Sequence, residues 1–143
     1  MRQFSNEKYA IYQKQLLENA KEFSYRYERY NTDYSIALGY SPMEIDLVPM
    51  SNFIRNTDKF IVLNDNTCAI ILDNANDESG IKAANNLLTK FQGSAFDIPL
   101  YSAIVTASNY SNSETMIREL FHLLDFAIAN NINQQVIDHT QII

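Results

Sequence analysis

Glycine and proline are scarce in this chain, three of each among 143 residues, and there is one cysteine, two histidines and no tryptophan. With glycine only at Gly39, Gly80 and Gly93, no Gly-rich phosphate loop is available. The lone Cys68 excludes an intrachain disulfide, and without a Cys/His cluster no structural zinc site forms. Lys and Arg number 11 against 17 Asp and Glu, a net charge of −6 that argues against a nucleic-acid surface, since neutralising phosphates demands clustered cations. No run approaches the ~18 apolar residues of a membrane span, and Met1 to Glu7 lacks the apolar stretch of a signal peptide. The expectation is a cytoplasmic protein in a reducing compartment, with neither membrane nor nucleic acid as partner.

A hydrophobic share of 46%, with nine Tyr and eight Phe, is ample for one globular domain over 1–143. Ser5 is placed as an N-cap, and Tyr9, Tyr12, Leu16, Ala20, Phe23 and Tyr27 recur at helical spacing to about Glu28. The Leu16-Leu17 patch leaves open a partner helix or a second copy. Tyr25 to Tyr30 interleaves aromatics with arginines, a composition able to stack on bases, or else a frayed helix end. Tyr34 to Leu38 reads as a strand ended by Gly39 and Pro42. Met43 to Ile54 reads as a short helix kinked by Pro49.

The centre of the chain is a β-hairpin: Lys59 to Leu63 and Cys68 to Leu72, joined by the polar loop Asn64-Asp65-Asn66-Thr67. Asp73, Asp77 and Glu78 are read as acids that cap the next helix, which carries Ile81, Ala84, Leu87, Leu88 and Phe91 and ends near Gln92-Gly93. Ile98 to Thr106 is a strand. Ser111 with Glu114 matches a capping box before the apolar face from Met116 to Ile128. Val136-Ile137 is a final edge strand. The order α, β, α, β, β, α, β, α, β predicts an α+β sandwich, a ferredoxin-like split βαβ antiparallel sheet with a long N-terminal helix.

Single residues carry little chemistry by themselves. His122 and His139 have no nucleophile or metal partner in the pattern, Ser102 lacks a nucleophile elbow, and Cys68 reads as a small core side chain. Arg55-Asn56-Thr57-Asp58 stands at the entry to the hairpin, nine positions before Asn64.

This arrangement resembles the GGDEF diguanylate-cyclase domain, in which an Arg-x-x-Asp motif stands nine positions before the signature of the hairpin tip. Arg29-Tyr30-Asn31, Leu100 to Ala107 and Leu124 to Ile128 resemble further stretches of that family, while its final Gly-Arg-Asn motif is missing from Asn130 to Val136. In that register Asn64, Asp65, Asn66, Thr67 and Cys68 occupy the place of Gly-Gly-Asp-Glu-Phe. The strand that ends in a metal-binding Asp in active cyclases here ends in Gly39-Tyr40-Ser41-Pro42, and too few residues separate Tyr40 from Arg55 for the family's helix. Phosphodiester synthesis needs metal held by carboxylates and close backbone approach to a triphosphate, which glycine permits.

The resemblance therefore implies a degenerate bacterial GGDEF-like signalling domain that is not an enzyme, with no catalytic residue, metal or cofactor. It would act through an unknown protein partner or as a homodimer. In one version cyclic di-GMP binds at Arg55 and Asp58, the Arg matching acceptors and the Asp accepting from guanine N–H groups. In the structural alternative the two residues pair with each other at a helix–strand junction. A purely structural interaction domain without nucleotide, a cyclase with a rearranged site, and Asp65 as a shifted metal ligand with Asp73 or Asp77 are the remaining readings.

Overall fold

Ser5 begins the first helix as expected: its Oγ accepts from the Lys8 main-chain N–H at 3.2 Å. A computed structural model of the chain describes residues 4–43, 46–95 and 98–141, the side chains of 92–95 excepted. Helix α1 (Asn6–Tyr30) buries Tyr12, Leu16, Ala20 and Phe23 along one stripe. It runs two residues past Glu28 without fraying, because Asn31 takes a left-handed conformation (φ 58°) and its N–H reaches back to the Tyr27 carbonyl. Leu16 is wholly buried in the core and Leu17 packs beside it, so that patch serves this chain's own interior.

Among the described residues five strands form one sheet: β1 (Tyr34–Tyr40), β2 (Lys59–Asn64), β3 (Thr67–Asp73), β4 (Tyr101–Thr106) and β5 (Gln135–Ile137), in the order β2-β3-β1-β4-β5. β1, β3 and β4 occupy the middle and are buried on both faces, which explains their nearly unbroken apolar runs. The ladders are antiparallel except β4 with β5, which is parallel. The expected split βαβ sheet is thus present, with a parallel edge added. β1 extends through Gly39 and Tyr40 because both have ladder partners on each side, Cys68 and Thr67 in β3, Ser102 and Tyr101 in β4.

One face of the sheet carries α1 and α3 (Ser113–Ala129), which bury Met116, Ile117, Leu120, Phe121 and Leu124 against Ile36, Leu38, Ile71 and Val105. Each such side chain contributes about 1.5–3 kcal/mol on full burial. The other face carries α2 (Asp77–Ala95), whose Ala84, Leu87, Leu88 and Phe91 pack on Ala37, Cys68, Ile70 and Ile104.

Several boundaries differ from the sequence reading. In place of a helix over Met43–Ile54 there is a 3₁₀ helix, Val48–Phe53; Pro49 fits its first turn but bars regular helix before it. Glu44 and Ile45 lie outside the described residues. β4 starts at Tyr101 rather than Ile98, since Pro99 has no N–H to give a ladder. Helix α2 continues past Gly93. Asp77 and Glu78 stand in its first turn as expected, Asp73 ends β3 instead, and the side-chain cap is Asn76, whose Oδ1 accepts from the Ser79 N–H at 2.9 Å. Asn112 caps α3 in place of Ser111, accepting from the Thr115 N–H at 2.8 Å.

Candidate functional site

The hairpin has two ends, roughly 20 Å apart at strand rise, and each holds a group of residues singled out by the sequence. At the tip the turn is tighter than the four-residue loop expected. Asn64 closes β2, Thr67 opens β3, and only Asp65 and Asn66 lie between them, with the register shifting between Val62 and Asn64. Neither turn residue takes a left-handed backbone. The turn is held by side chains: the Asn66 N–H donates to Asn64 Oδ1 at 2.9 Å, and Asn64 Nδ2 donates to the Tyr12 hydroxyl at 2.7 Å.

The tip is also fastened to the end of β1. Asn66 Nδ2 donates to the Ser41 carbonyl at 2.6 Å, and the Ser41 N–H donates to the Asn66 carbonyl at 3.1 Å. A cleft of about 260 Å³ lies beside this junction, lined by Phe4, Ser5, Lys8, Tyr40, Asn64 and Asn66. Within Gly39–Pro42 and Asn64–Cys68 the one carboxylate is Asp65, which is exposed. Hard divalent cations take several oxygen ligands, carboxylates foremost, and these two segments carry one carboxylate. Asp73 ends β3 at its opposite end and Asp77 belongs to α2, so neither joins Asp65. Among the described residues no group of three or more His, Cys, Asp or Glu converges.

Cys68 is not part of the turn. It is 2% exposed on β3, facing α2, and burial lifts its pKa from 9.0 to about 12. Burial likewise raises Tyr34, and Tyr110 to about 12. Because these folded pKa values lie above the unfolded ones, folded and unfolded chains are equally protonated below pH 9, and above it the unfolded chain ionises first. Stability is therefore expected to fall as pH rises beyond about 9, by up to about 1.4 kcal/mol per pH unit for the thiol. Thermal unfolding from pH 8 to 11 checks this, and Ellman's reagent at pH 8 is expected to label Cys68 only after denaturation.

At the other end of the hairpin Arg55 and Asp58 are brought together. Arg55 donates from Nη2 to Asp58 Oδ1 at 3.0 Å and from Nε to Oδ2 at 3.2 Å, a bidentate pair. The Arg55 N–H donates to Oδ2 and the Asp73 N–H to Oδ1, each at 2.9 Å. The Asp58 side chain is 2% exposed and meets four donors, whereas Arg55 is 58% exposed and its guanidinium also reaches the Asp73 carbonyl. The bond to Asp58 holds Arg55 above its ordinary pKa. Asp73 in turn accepts from Arg26 of α1 at 3.1 Å. The structural pairing weighed for these two residues is therefore present: Asp58 fastens the entry of β2 to the exit of β3.

Sequence reasoning missed two neighbours of this junction, Phe53 and Lys90. The Lys90 ammonium sits 5.4 Å from the Phe53 ring centroid. Lys90 stands three positions after Leu87, on the shoulder of the buried stripe of α2, and that spacing was its only signal. Asp77 accepts two bonds from the Asn109 side chain, and His122 is exposed on the outer side of α3. No described helix is long and apolar enough to cross a membrane.

No protein-family profile matches this chain, and no curated protein matches it in sequence. Solved structures do match in shape. The GGDEF domain of DgcB from Caulobacter crescentus, solved with c-di-GMP, superposes with a TM-score of 0.69 at 7% identity over 88% of this chain and 89% of that one. The GGDEF domain of YfiN from Pseudomonas aeruginosa gives a TM-score of 0.66 at 10% identity over 90% and 87%. The diguanylate cyclase SiaD of Pseudomonas aeruginosa, solved with its activator SiaC, gives 0.59 at 11% identity over 88% of this chain and 57% of that one. At such identities the likeness speaks for architecture alone: this chain has the fold of a GGDEF domain.

Proposed function

We propose that the chain is a degenerate GGDEF-like signalling domain, of a bacterial cytoplasmic kind, that acts by binding a protein partner and does not join nucleotides. The observation that carries this reading is the fastening of the hairpin tip to the end of β1 by the Asn66 and Ser41 bonds, in segments whose one carboxylate is the exposed Asp65. Phosphoryl transfer to a nucleoside hydroxyl depends on positioning and on neutralising phosphate charge. Where glycine would let phosphate approach the backbone, Asn64 and Asn66 side chains are engaged with Tyr12 and Ser41. Incubation with GTP and Mg²⁺ or Mn²⁺, followed by mass spectrometry, is expected to yield no dinucleotide. Formation of cyclic di-GMP overturns the reading.

Partner binding is favoured over a dinucleotide because Asp58 has no acceptor site to spare: guanine would have to displace Arg55 or the Asp73 N–H from it. A diguanylate cyclase of similar fold is found in complex with an activator protein, which supports such a role. The second reading, cyclic di-GMP as a regulatory ligand, is favoured by the exposure of Arg55 beside Lys90. Calorimetric titration separates the two: saturable heat with cyclic di-GMP that vanishes in Arg55→Ala supports the second, and no heat supports the first.

A further inference from the structure

Between the segment leaving the 3₁₀ helix and α2 lies a groove of about 150 Å³. Phe53, Ile54, Leu72 and Leu87 give it an apolar lining, and Arg55 and Lys90 stand there as its cations. The groove exists because, among the described residues, the connection from β1 to β2 carries the short 3₁₀ helix and α2 is the one long helix on this face. Phe53 is left 43% and Val48 50% exposed.

Charge here runs against the rest of the molecule. The chain carries −6 overall, yet the acid at the groove, Asp58, is 2% exposed and met by four donors, while Lys90 and Arg55 are exposed. Arg55 uses Nε and Nη2 within the protein, which leaves the N–H groups of Nη1 for an outside acceptor without breaking the Asp58 pair. The volume narrows the occupant further. The groove's enclosed space of about 150 Å³ is of the size that seats a single apolar side chain, the usual anchor of a protein interface.

We propose that this groove takes an apolar anchor side chain flanked by carboxylates, from an acidic amphipathic segment of a partner protein. The inference rests on the proposed reading of the chain as a domain that acts by binding a protein partner, and names that partner's chemistry. The anchor covers Phe53 and Leu87, and the flanking carboxylates meet Arg55 Nη1 and Lys90 Nζ, giving charge-assisted bonds and a salt-sensitive encounter.

The test titrates the ¹⁵N-labelled chain with a synthetic helical peptide carrying Leu and Phe four positions apart with Glu between and around them. Controls replace its Glu by Lys, or its anchors by Ala, and cyclic di-GMP is titrated separately. The expected result is movement of the amide signals of Phe53–Arg55 and Ala83–Lys90 with the acidic peptide alone. Affinity is expected to drop about tenfold in Lys90→Glu, an exposed change that leaves the fold intact. No shift in these amides up to about 1 mM, or equal binding of the Lys peptide, overturns the proposal. Cyclic di-GMP moving these signals while the peptide does not also overturns it, and supports the regulatory-ligand reading in place of a protein partner. Synthesis of cyclic di-GMP from GTP would instead remove the degenerate-domain reading itself.

Discussion

Replacing Asp58 with alanine is expected to lower stability by about 2–4 kcal/mol, while Arg55→Ala costs about 1 kcal/mol or less. The two residues form one ion pair, yet their surroundings are unequal. The Asp58 carboxylate is 2% exposed and meets the Arg55 N–H, the Asp73 N–H and two guanidinium donors. Without it, the part-buried Asp73 N–H loses an acceptor that water cannot fully replace, and the Arg55 N–H and guanidinium lose theirs as well. Removing Arg55 instead leaves Asp58 with both main-chain donors, and the lost side chain was 58% exposed, so solvent screens most of its charge. Urea unfolding with an unchanged m-value reads the difference. Equal losses in both variants, or an Asp58→Ala variant as stable as wild type, would mean that the junction is not held this way.

Two glycine-to-alanine substitutions are expected to differ in sign. A Cβ on Gly80 would stand 2.4 Å from Ser35 Oγ and 3.0 Å from Ser35 Cβ. Ser35 has nowhere to go: it is fully buried, and its Oγ lies 2.7 Å from Thr106 Oγ1 and donates to the Ala75 carbonyl at 3.1 Å. The helix must move away from the sheet or the polar cluster must break. A loss of about 1–3 kcal/mol is expected, larger than the gain of up to about 1 kcal/mol from better helix propensity. At Gly39 the added Cβ meets Cys68 Sγ at 3.7 Å and Leu100 Cδ1 at 3.8 Å, ordinary contact distances in a small apolar void. Gly39→Ala is expected to stabilise by about 0.4–1 kcal/mol, chiefly by restricting the unfolded chain. Thermal melts of the two variants check both signs, and a destabilised Gly39→Ala would count against the packing between β1 and α2.

Legibility of the sequence followed the range of the interaction involved. The stripe of α1, its Ser5 cap and the apolar face of α3 are local patterns at helical spacing, and each element stands where its pattern lies. The hairpin was readable from its two β-branched runs. Its turn was not, because Asn64 and Asn66 are held by Tyr12 and Ser41, residues far away along the chain. Strand ends failed for the same reason: Gly39 and Tyr40 look like a terminus until β3 and β4 pair with them on either side. The meeting of Arg55 with Asp58 was legible as a spacing. That Asp58 also binds the Asp73 N–H depends on the whole hairpin, and the groove between Phe53 and Lys90 depends on α2 packing over a shortened connection. No window of sequence contains either.

The measurement that bears most directly on the account is a Mn²⁺ titration of the ¹⁵N-labelled chain in the presence of GTP, read as paramagnetic broadening of amide signals. With Asp65 as the one carboxylate at the hairpin tip and Asn66 tied to Ser41, broadening at Tyr40, Ser41 and Asn64–Thr67 is expected to be weak and unsaturable. Saturable broadening centred on those residues, at metal concentrations that leave the rest of the molecule sharp, would show that the tip still gathers metal and nucleotide and would contradict the account.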